Sequence, residues 1–374
     1  MKPSKYIISG GGTGGHIYPA IAIADELKAQ DPAATIIFVG ALGKMEMEKV
    51  PQAGYKIHGI WISGLQRKQL WRNILFPLKL AISLLQSVFI WLRYRPDVLI
   101  GTGGFASGPM LFIGNLFVSK TLLQEQNSYP GITNKLLAKK ANAIAVAYPE
   151  MQRFFPAQKI TYTGNPVRSS LINTNDLNAK AERHFELSKD RKTLVVLGGS
   201  LGAQRINELI AANIDFFEKL GLDVIWQCGK LYYDRFKNLA TSNIKIYPFI
   251  KEMDLLYAAA DVIISRAGAA SVSELCLVGK AVILIPSPNV AENHQFHNAN
   301  ALAKNNAAVL IEEKDLEQSF NMLFEAIVTS PKRQLELTEN IRQMSKPKAT
   351  KEIVKMIHQL QQKACLSSHT TLSE

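Results

Sequence analysis

Short apolar runs that end at glycine recur along this sequence, and each is followed by a longer stretch with helical spacing. In the first half these runs are Tyr6–Ser9, Thr35–Val39 and Asp97–Ile100. Alternation of buried strands with helices is typical of βαβ units, whose strands pair in parallel. The repeat therefore predicts an α/β fold built on a parallel sheet.

The same pattern begins again in the second half of the 374-residue chain. Strands are predicted there at Thr193–Leu197, Asp223–Trp226, Lys245–Tyr247, Asp261–Ile264 and Ala281–Ile285. Because residues 170–190 are polar, we place the junction at the turn of residues 164–168. We predict two Rossmann-like domains that face a cleft, at 1–165 and 166–345, then a helix over 346–363 that crosses back to the first domain, and a tail at 364–374. A cleft between domains is a common ligand site.

Charge and cysteine content narrow the class of protein. The chain has 43 Lys and Arg against 31 Asp and Glu, a net charge of +12, which favours an anionic partner such as nucleic acid, a membrane or a phosphorylated substrate. The three cysteines, Cys228, Cys276 and Cys365, form no CxxC pair, so neither a disulfide framework nor a zinc site is predicted. The apolar run before the first glycines is too short for a signal peptide, and we expect a cytosolic protein.

The segment from Arg72 to Arg93 resembles a membrane span in length and apolar content. Polar residues interrupt it, and four of them share one helical face: Lys79, Ser83, Gln86 and Arg93. A lysine near the middle of a bilayer is unfavourable by about 2.5–3.5 kcal/mol. We therefore predict a largely buried helix with one solvent-facing polar stripe, with partial membrane contact as the alternative.

Three glycine-rich loops follow predicted strands. They are Gly10-Gly-Gly-Thr-Gly-Gly-His16, Gly101-Thr-Gly-Gly-Phe-Ala-Ser-Gly108 and Gly198-Gly-Ser-Leu-Gly-Ala203. Glycine lets the backbone turn sharply and approach a ligand, and the helix N-terminus that follows favours negative charge. One such loop is typical of a tight turn, whereas three favour a polyanionic ligand. The first also fits the dinucleotide fingerprint GxGxxG, but the second strand ends Phe38-Val-Gly-Ala41 without the acidic residue that binds ribose, so NAD is disfavoured.

The stretch from Ser265 to Glu274 favours a nucleotide ligand. Its small residues begin a helix whose amides can face a diphosphate, and the Glu274 carboxylate suits a ribose diol. The alternative is a capping box with Ser271 as N-cap and Glu274 three residues later, and the sequence leaves both open. Downstream, Gln295 could pair with sugar hydroxyls.

Six motifs, taken in order, resemble the UDP-N-acetylglucosamine–undecaprenyl-diphospho-muramoyl-pentapeptide N-acetylglucosaminyltransferases, the MurG family. They are Gly11-Gly-Thr-Gly-Gly-His16, Ile62-Ser-Gly-Leu65, Glu125-Gln-Asn127, Gly164-Asn-Pro-Val-Arg168, Gly198-Gly-Ser200 and Ser265–Glu274. The resemblance implies a two-domain glycosyltransferase-B fold. It also implies an inverting transfer of N-acetylglucosamine from UDP to the 4-hydroxyl of lipid I, an undecaprenyl-linked acceptor, giving lipid II for peptidoglycan.

The resemblance also implies the substrate-binding residues, which contact the donor. By matching position they are Thr13, Gly14, Gly15, Asn127, Arg168, Ser200, Ile250, Ala269, Ala270, Ser271, Glu274 and Gln295, with Ile250 meeting uracil through its backbone. Two positions depart from the family pattern. Gln124 stands where His is common, which disfavours a base there, and Asn293-His294 replaces a pair that is usually Arg-Gln.

An inverting transfer needs a base beside the acceptor hydroxyl and stabilisation of the departing UDP. His16 is the leading base candidate, because a helix N-terminus disfavours imidazolium and keeps the ring able to accept a proton. Glu125 is the second. The chain has no Asp-x-Asp motif, so we predict no metal and no cofactor. We expect helix N-termini, with Ser200 and Arg168, to stabilise the departing UDP.

Two other functions remain open: a UDP-GlcNAc epimerase, which needs no lipid acceptor, and a nucleic-acid-binding protein, disfavoured because aromatic–basic repeats are absent.

We expect peripheral binding at the cytoplasmic face of the bacterial inner membrane, because apolar side chains rimmed by basic ones bind anionic membrane surfaces. The apolar candidates are Leu70, Trp71, Leu75, Phe76, Leu80, Leu84 and Trp91; the basic ones are Arg67, Lys68, Arg72, Lys79, Lys135, Lys139 and Lys140.

Overall fold

The computed structural model describes residues 3–65, 70–117, 119–167, 175–199 and 201–370. Contacts divide the chain into two units, one of Met1–Val167 with Lys348–Glu374, the other of Arg168–Pro347. Each unit is built on one parallel sheet with helices between its strands, which confirms the predicted α/β class.

The first unit has a sheet of order β3-β2-β1-β4-β5-β6-β7. Its strands are β1 Lys5–Gly10, β2 Thr35–Ala41, β3 Lys56–Ile60, β4 Val98–Gly103, β5 Lys120–Glu125, β6 Ala143–Val146 and β7 Ile160–Tyr162. Its helices are α1 Gly14–Gln30, α2 Glu46–Gln52, α3 Phe76–Tyr94, α4 Ser107–Leu116, α5 Ile132–Ala138 and the last helix of the chain, Ala349–Thr370.

The last helix belongs to the core of this unit. Its buried Ile353, Val354 and Ile357 pack in one cluster with Tyr6 of β1 and Ile23 of α1. The helix continues to Thr370, beyond the predicted end at residue 363, because nothing between those positions is a helix breaker such as proline or glycine.

The second unit has a sheet of order β10-β9-β8-β11-β12-β13. Its strands are β8 Thr193–Leu197, β9 Asp223–Gln227, β10 Ile244–Tyr247, β11 Val262–Ser265, β12 Ala281–Leu284 and β13 Val309–Leu310. Its helices are α6 Asn178–Phe185, α7 Gln204–Ala212, α8 Ile214–Lys219, α9 Tyr233–Phe236, α10 Met253–Ala259, α11 Ala269–Val278, α12 His294–Ala303, α13 Leu316–Val328 and α14 Pro331–Gln343. The helix Ala349–Thr370 of the first unit is numbered α15.

Helix α3 has the opposite orientation from the one predicted. By length and apolar composition it is the one helix in the described ranges that could cross a membrane. Only 11% of its apolar stretch is buried, although a largely buried helix was predicted. Its polar side faces the unit: Ser83 is buried, Gln86 Oε1 accepts the Trp61 amide at 2.8 Å, and Lys79 Nζ donates to Ser63 Oγ at 3.2 Å. The prediction of a largely buried helix with a wet polar stripe is wrong: the helix is mostly exposed, and Lys79 and Gln86 of the stripe bind the 61–63 loop, although Arg93 is exposed as predicted.

The strand order reverses once in each sheet, between β1 and β4 in the first and between β8 and β11 in the second. The loops that leave neighbouring strands in opposite directions separate at such a point and open a crevice at the carboxyl edge of the sheet. Three predicted glycine loops and the 265–274 stretch follow these four strands. The topology therefore places the three glycine loops and the 265–274 stretch at the two switch points.

Candidate active site

The imidazole of His16 is fixed by the loop that precedes it. Helix α1 has Thr13 as N-cap, so His16 is its third residue. The Nδ1 atom of His16 lies 3.0 Å from the Gly11 carbonyl oxygen and 3.2 Å from Thr13 Oγ1. Since a carbonyl oxygen can only accept, this contact assigns the proton of the neutral ring to Nδ1. The Nε2 atom is then the nitrogen that can accept a proton.

The second glycine loop closes over the same imidazole. Gly103 and Gly104 both have positive φ, +96° and +80°. A Cβ on Gly103 would lie 3.3 Å from His16 Nε2 and 3.5 Å from Asn134 Nδ2, and a Cβ on Gly104 would overlap the Gly11 carbonyl oxygen. The first two loops and the beginning of α5 therefore meet around His16.

Glu125 orients the loop that follows β5. Its carboxylate accepts hydrogen bonds from the Asn127 amide at 3.0 Å, Asn127 Nδ2 at 3.3 Å, the Gly131 amide at 3.2 Å and Asn134 Nδ2 at 2.8 Å. Burial raises the pKa of Glu125, and these hydrogen bonds oppose that rise. The geometry favours Glu125 as the residue that holds Asn127, and it weakens Glu125 as a second base.

Gln124 belongs to a buried amide network that connects two of the motifs. Its Nε2 donates to Asn165 Oδ1 at 2.9 Å, and Asn165 Nδ2 donates to the Gln126 carbonyl oxygen at 3.0 Å. Gln126 Nε2 in turn donates to the Thr102 carbonyl oxygen at 2.6 Å. Gln124 thus links the Glu-Gln-Asn motif to the Gly-Asn-Pro turn.

In the second unit, the 265–274 stretch begins helix α11. The N-cap is Gly268, so Ala269, Ala270 and Ser271 are the first three helical residues, and their amides lie at the positive end of the helix dipole. The capping-box alternative, with Ser271 as N-cap, is wrong. Glu274 lies in the second turn, where its Oε2 accepts a hydrogen bond from the buried Tyr257 hydroxyl at 3.2 Å.

Two further predicted contacts in this unit are Ile250, in the loop between β10 and α10, and Gln295, the second residue of α12. The Ile250 amide donates to Gln227 Oε1 at 2.8 Å, and Gln227 Nε2 donates to the Gly199 carbonyl oxygen at 3.2 Å. Gln295 Oε1 accepts the Ser287 amide at 2.9 Å. Arg168 and Ser200 lie outside the described residues. Sequence reasoning missed Gln227 and Tyr257, because each looks like an ordinary polar position within a strand or a helix.

Two sequence models of known families match this chain. The glycosyltransferase family 28 N-terminal domain matches residues 6–146, and the glycosyltransferase family 28 C-terminal domain matches residues 193–359.

Individual proteins are similar over nearly the full length. A relative from Flavobacterium psychrophilum is 54% identical over 96% of this chain and 98% of its own, and one from Christiangramia forsetii is 52% identical over 95% and 97%. Both are named UDP-N-acetylglucosamine–N-acetylmuramyl-(pentapeptide) pyrophosphoryl-undecaprenol N-acetylglucosamine transferase. The crystal structure of Acinetobacter baumannii MurG is 27% identical, with a TM-score of 0.78 over 96% of this chain and 100% of that one.

Proposed function

This chain belongs to the MurG group of glycosyltransferase family 28, and we propose on that premise that it transfers N-acetylglucosamine from UDP-N-acetylglucosamine to lipid I. Lipid I is N-acetylmuramyl-(pentapeptide) pyrophosphoryl-undecaprenol, and the product is lipid II. The near-full-length similarity to transferases of that name carries the proposal.

His16 is the proposed general base. Its Nδ1 proton is held by the Gly11 carbonyl oxygen, so Nε2 takes the proton from the 4-hydroxyl of the acceptor. The acceptor oxygen then attacks the anomeric carbon of the donor as the bond to UDP breaks, which inverts that centre. The developing charge on UDP is stabilised by hydrogen-bond donors that are already in place.

The second unit supplies the proposed donor site. The first three amides of α11 face the diphosphate, where the helix dipole favours negative charge. Glu274, steadied by Tyr257, binds the ribose diol, and Gln295 binds sugar hydroxyls. Ile250 contacts uracil through its backbone. Because its amide donates to Gln227 Oε1, either that hydrogen bond is replaced by one to uracil, or the Ile250 carbonyl oxygen makes the contact.

A product assay tests the reaction. Radiolabelled UDP-N-acetylglucosamine is incubated with and without a lipid I analogue, and lipid and aqueous phases are analysed. Transfer predicts label in the lipid phase only when the analogue is present. Conversion of the labelled sugar without any acceptor would instead support the epimerase alternative.

We also propose that the first unit binds an anionic membrane surface peripherally, at the cytoplasmic face. Exposed apolar side chains on α3, α4, α5 and the turn before α3 form what we call the apolar docking surface: Trp71, Ile74, Leu75, Leu78, Leu80, Leu85, Phe89, Phe112, Leu116 and Leu136. Exposed Lys139 and Lys140 follow α5. Apolar groups beside lysines favour an interface with anionic lipid.

Several residues predicted for this surface lie elsewhere. Phe76 and Trp91 pack against a buried cluster of the unit, with Trp91 stacked on Phe117, and Leu84 is half-buried. Arg67 and Lys68 lie outside the described residues, as do the side chains of Leu70 and Arg72.

A further inference from the structure

A buried carboxylate lies beneath the first glycine loop. Glu46 begins α2 and is fully buried. Its Oε2 accepts the Gly12 amide at 3.0 Å, and its Oε1 accepts the Ala41 amide at the end of β2 at 3.0 Å. A Cβ on Gly11 would overlap this carboxylate. The absence of a side chain at Gly11 therefore makes room for Glu46, whose charge is held by two backbone amides.

The Gly12 N–H that binds Glu46 and the Gly11 carbonyl that contacts His16 belong to one peptide group. On one side of this group the Glu46 carboxylate accepts the N–H at 3.0 Å. On the other side its carbonyl oxygen lies 3.0 Å from His16 Nδ1. The three groups form a continuous chain of hydrogen bonds from carboxylate to imidazole.

We propose that Glu46 is a positioning residue for His16, acting through the Gly11–Gly12 peptide. A carboxylate on the N–H side polarises the amide and makes its carbonyl oxygen a stronger acceptor, because hydrogen bonds in a chain reinforce one another. A stronger acceptor at Nδ1 fixes both the tautomer and the orientation of the ring. Nε2 is then held ready to accept a proton. This inference rests on the proposed role of His16 in the transfer.

In the same geometry, one backbone amide of the loop is hydrogen-bonded to a side chain of the same chain. The Gly12 amide, which the glycine pattern alone suggests as a phosphate contact, is bound to Glu46. Gly104 completes the arrangement, because any side chain there would displace the Gly11 carbonyl oxygen from His16. Glu46, Gly11 and Gly104 are thus explained together by the position of a single peptide.

The tautomer of His16 in the unaltered protein is the first test. Long-range ¹H–¹⁵N correlation spectra of protein labelled at histidine report which nitrogen carries the proton, and a His16→Gln variant identifies the His16 signals. We expect a neutral ring with its proton on Nδ1. A proton on Nε2 would overturn the proposal, since Nδ1 could not then donate to Gly11.

The second test is Glu46→Gln, with Glu48→Gln as matched control. Glu48 lies two residues along the same helix, its side chain is 65% exposed, and it pairs with Lys49. Loss of a residue that orients a metal-binding histidine commonly lowers activity by about 10- to 100-fold, and we take that range for a residue that orients a catalytic histidine. We expect a loss of kcat in that range for Glu46→Gln, an unchanged KM for UDP-N-acetylglucosamine, and a partial shift of the His16 proton to Nε2. Glu48→Gln should match the wild type in all three measurements.

The outcomes separate this inference from the function on which it rests. A lower kcat with an unchanged His16 tautomer would mean that Glu46 only supports the fold, and would overturn the inference. If Glu46→Gln shifts the His16 proton but the His16→Ala enzyme stays active, the base role of His16 is refuted and the positioning by Glu46 stands. Should Glu46→Gln fail to fold, Glu46→Asp is measured in the same way. It keeps the charge but is one methylene shorter, so its carboxylate cannot reach both amides in the same way. We expect a partial shift of the His16 proton to Nε2, and an unshifted proton with lower kcat would overturn the inference.

Discussion

Single side chains in the candidate site are held by hydrogen bonds to other residues of the chain. Asn127 is oriented by Glu125, Glu274 by Tyr257, and His16 by the Gly11 carbonyl oxygen. Orienting contacts of this kind fix geometry before binding, which reduces the entropy lost in the reaction. Substitution of a residue that contacts substrate should therefore lower binding or activity more than substitution of the residue that orients it.

His16→Ala tests the base at this scale. We expect kcat to fall by about 10²- to 10⁴-fold, the usual contribution of a general base, with little change in donor KM because a base acts on the acceptor hydroxyl in the chemical step. Steady-state kinetics with a lipid I analogue measure both. His184→Ala, at an exposed histidine of the second unit, is the control. A loss of tenfold or less would exclude His16 as the sole base.

Glu274→Ala and Tyr257→Phe form a graded pair. Hydrogen bonds to charged groups contribute roughly 1.5–3 kcal/mol, so removal of the carboxylate should weaken UDP by that amount. Removal of the Tyr257 hydroxyl leaves the carboxylate in place and should cost about 0.5–1.5 kcal/mol. Calorimetric titration with UDP, run beside thermal melts, separates binding from stability. Unchanged UDP affinity in a folded Glu274→Ala protein would refute the ribose contact.

At the scale of elements, short apolar runs predict eight strands that the structure contains, whereas β3, β5, β6, β7 and β13 were not predicted. Predicted Thr193–Leu197 matches β8 to the residue. Strand β5 was missed because Lys120, Gln124 and Glu125 interrupt its apolar pattern, although all three have partners or burial that only the fold supplies. Sequence reasoning found the glycine loops and His16, but Glu46 comes from a separate helix and gave no local signal.

Glycine positions in the two loops of the first unit should respond differently to substitution. A Cβ on Gly15 meets Thr13 Oγ1 at 3.6 Å, an ordinary contact, whereas Gly104 has φ +80° and faces the Gly11 carbonyl oxygen. Gly15→Val should therefore fold yet abolish transfer by blocking close approach of substrate to the backbone. Gly104→Val should lower the melting temperature as well. Near-normal turnover by folded Gly15→Val would show that the first loop is only a turn.

Helix α3 shows why the orientation of an amphipathic element is hard to infer. A polar stripe predicts a solvent-facing side only where the other side has a core to cover. Here the stripe binds the 61–63 loop, and Leu85 and Phe89 are 64% and 77% exposed. Such a surface is unusual on a soluble monomer and indicates an interaction site.

At the scale of the whole molecule, the net charge of +12 and the apolar docking surface support the proposed binding to an anionic bilayer. Each lysine near such a surface contributes about 1 kcal/mol, so Lys139→Glu with Lys140→Glu should weaken binding to phosphatidylglycerol vesicles by roughly 30-fold or more. Reversal of exposed Lys189 and Lys219 in the second unit is the matched control, and UDP affinity should be unchanged in both double variants. Flotation with anionic and neutral vesicles at low and high salt makes the measurement.

Phe89→Ser separates the apolar contribution from the charges. Phe89 is exposed and outside the core, so the variant should fold normally and bind both kinds of vesicle less well, while the salt dependence of binding to anionic vesicles remains. Because Lys79 and Gln86 tie α3 to the 61–63 loop, the helix should lie on the bilayer and be released by carbonate. Equal binding of the wild type to neutral and anionic vesicles would refute the electrostatic part. Retention in native membranes after carbonate extraction would show that α3 leaves the unit and spans the bilayer.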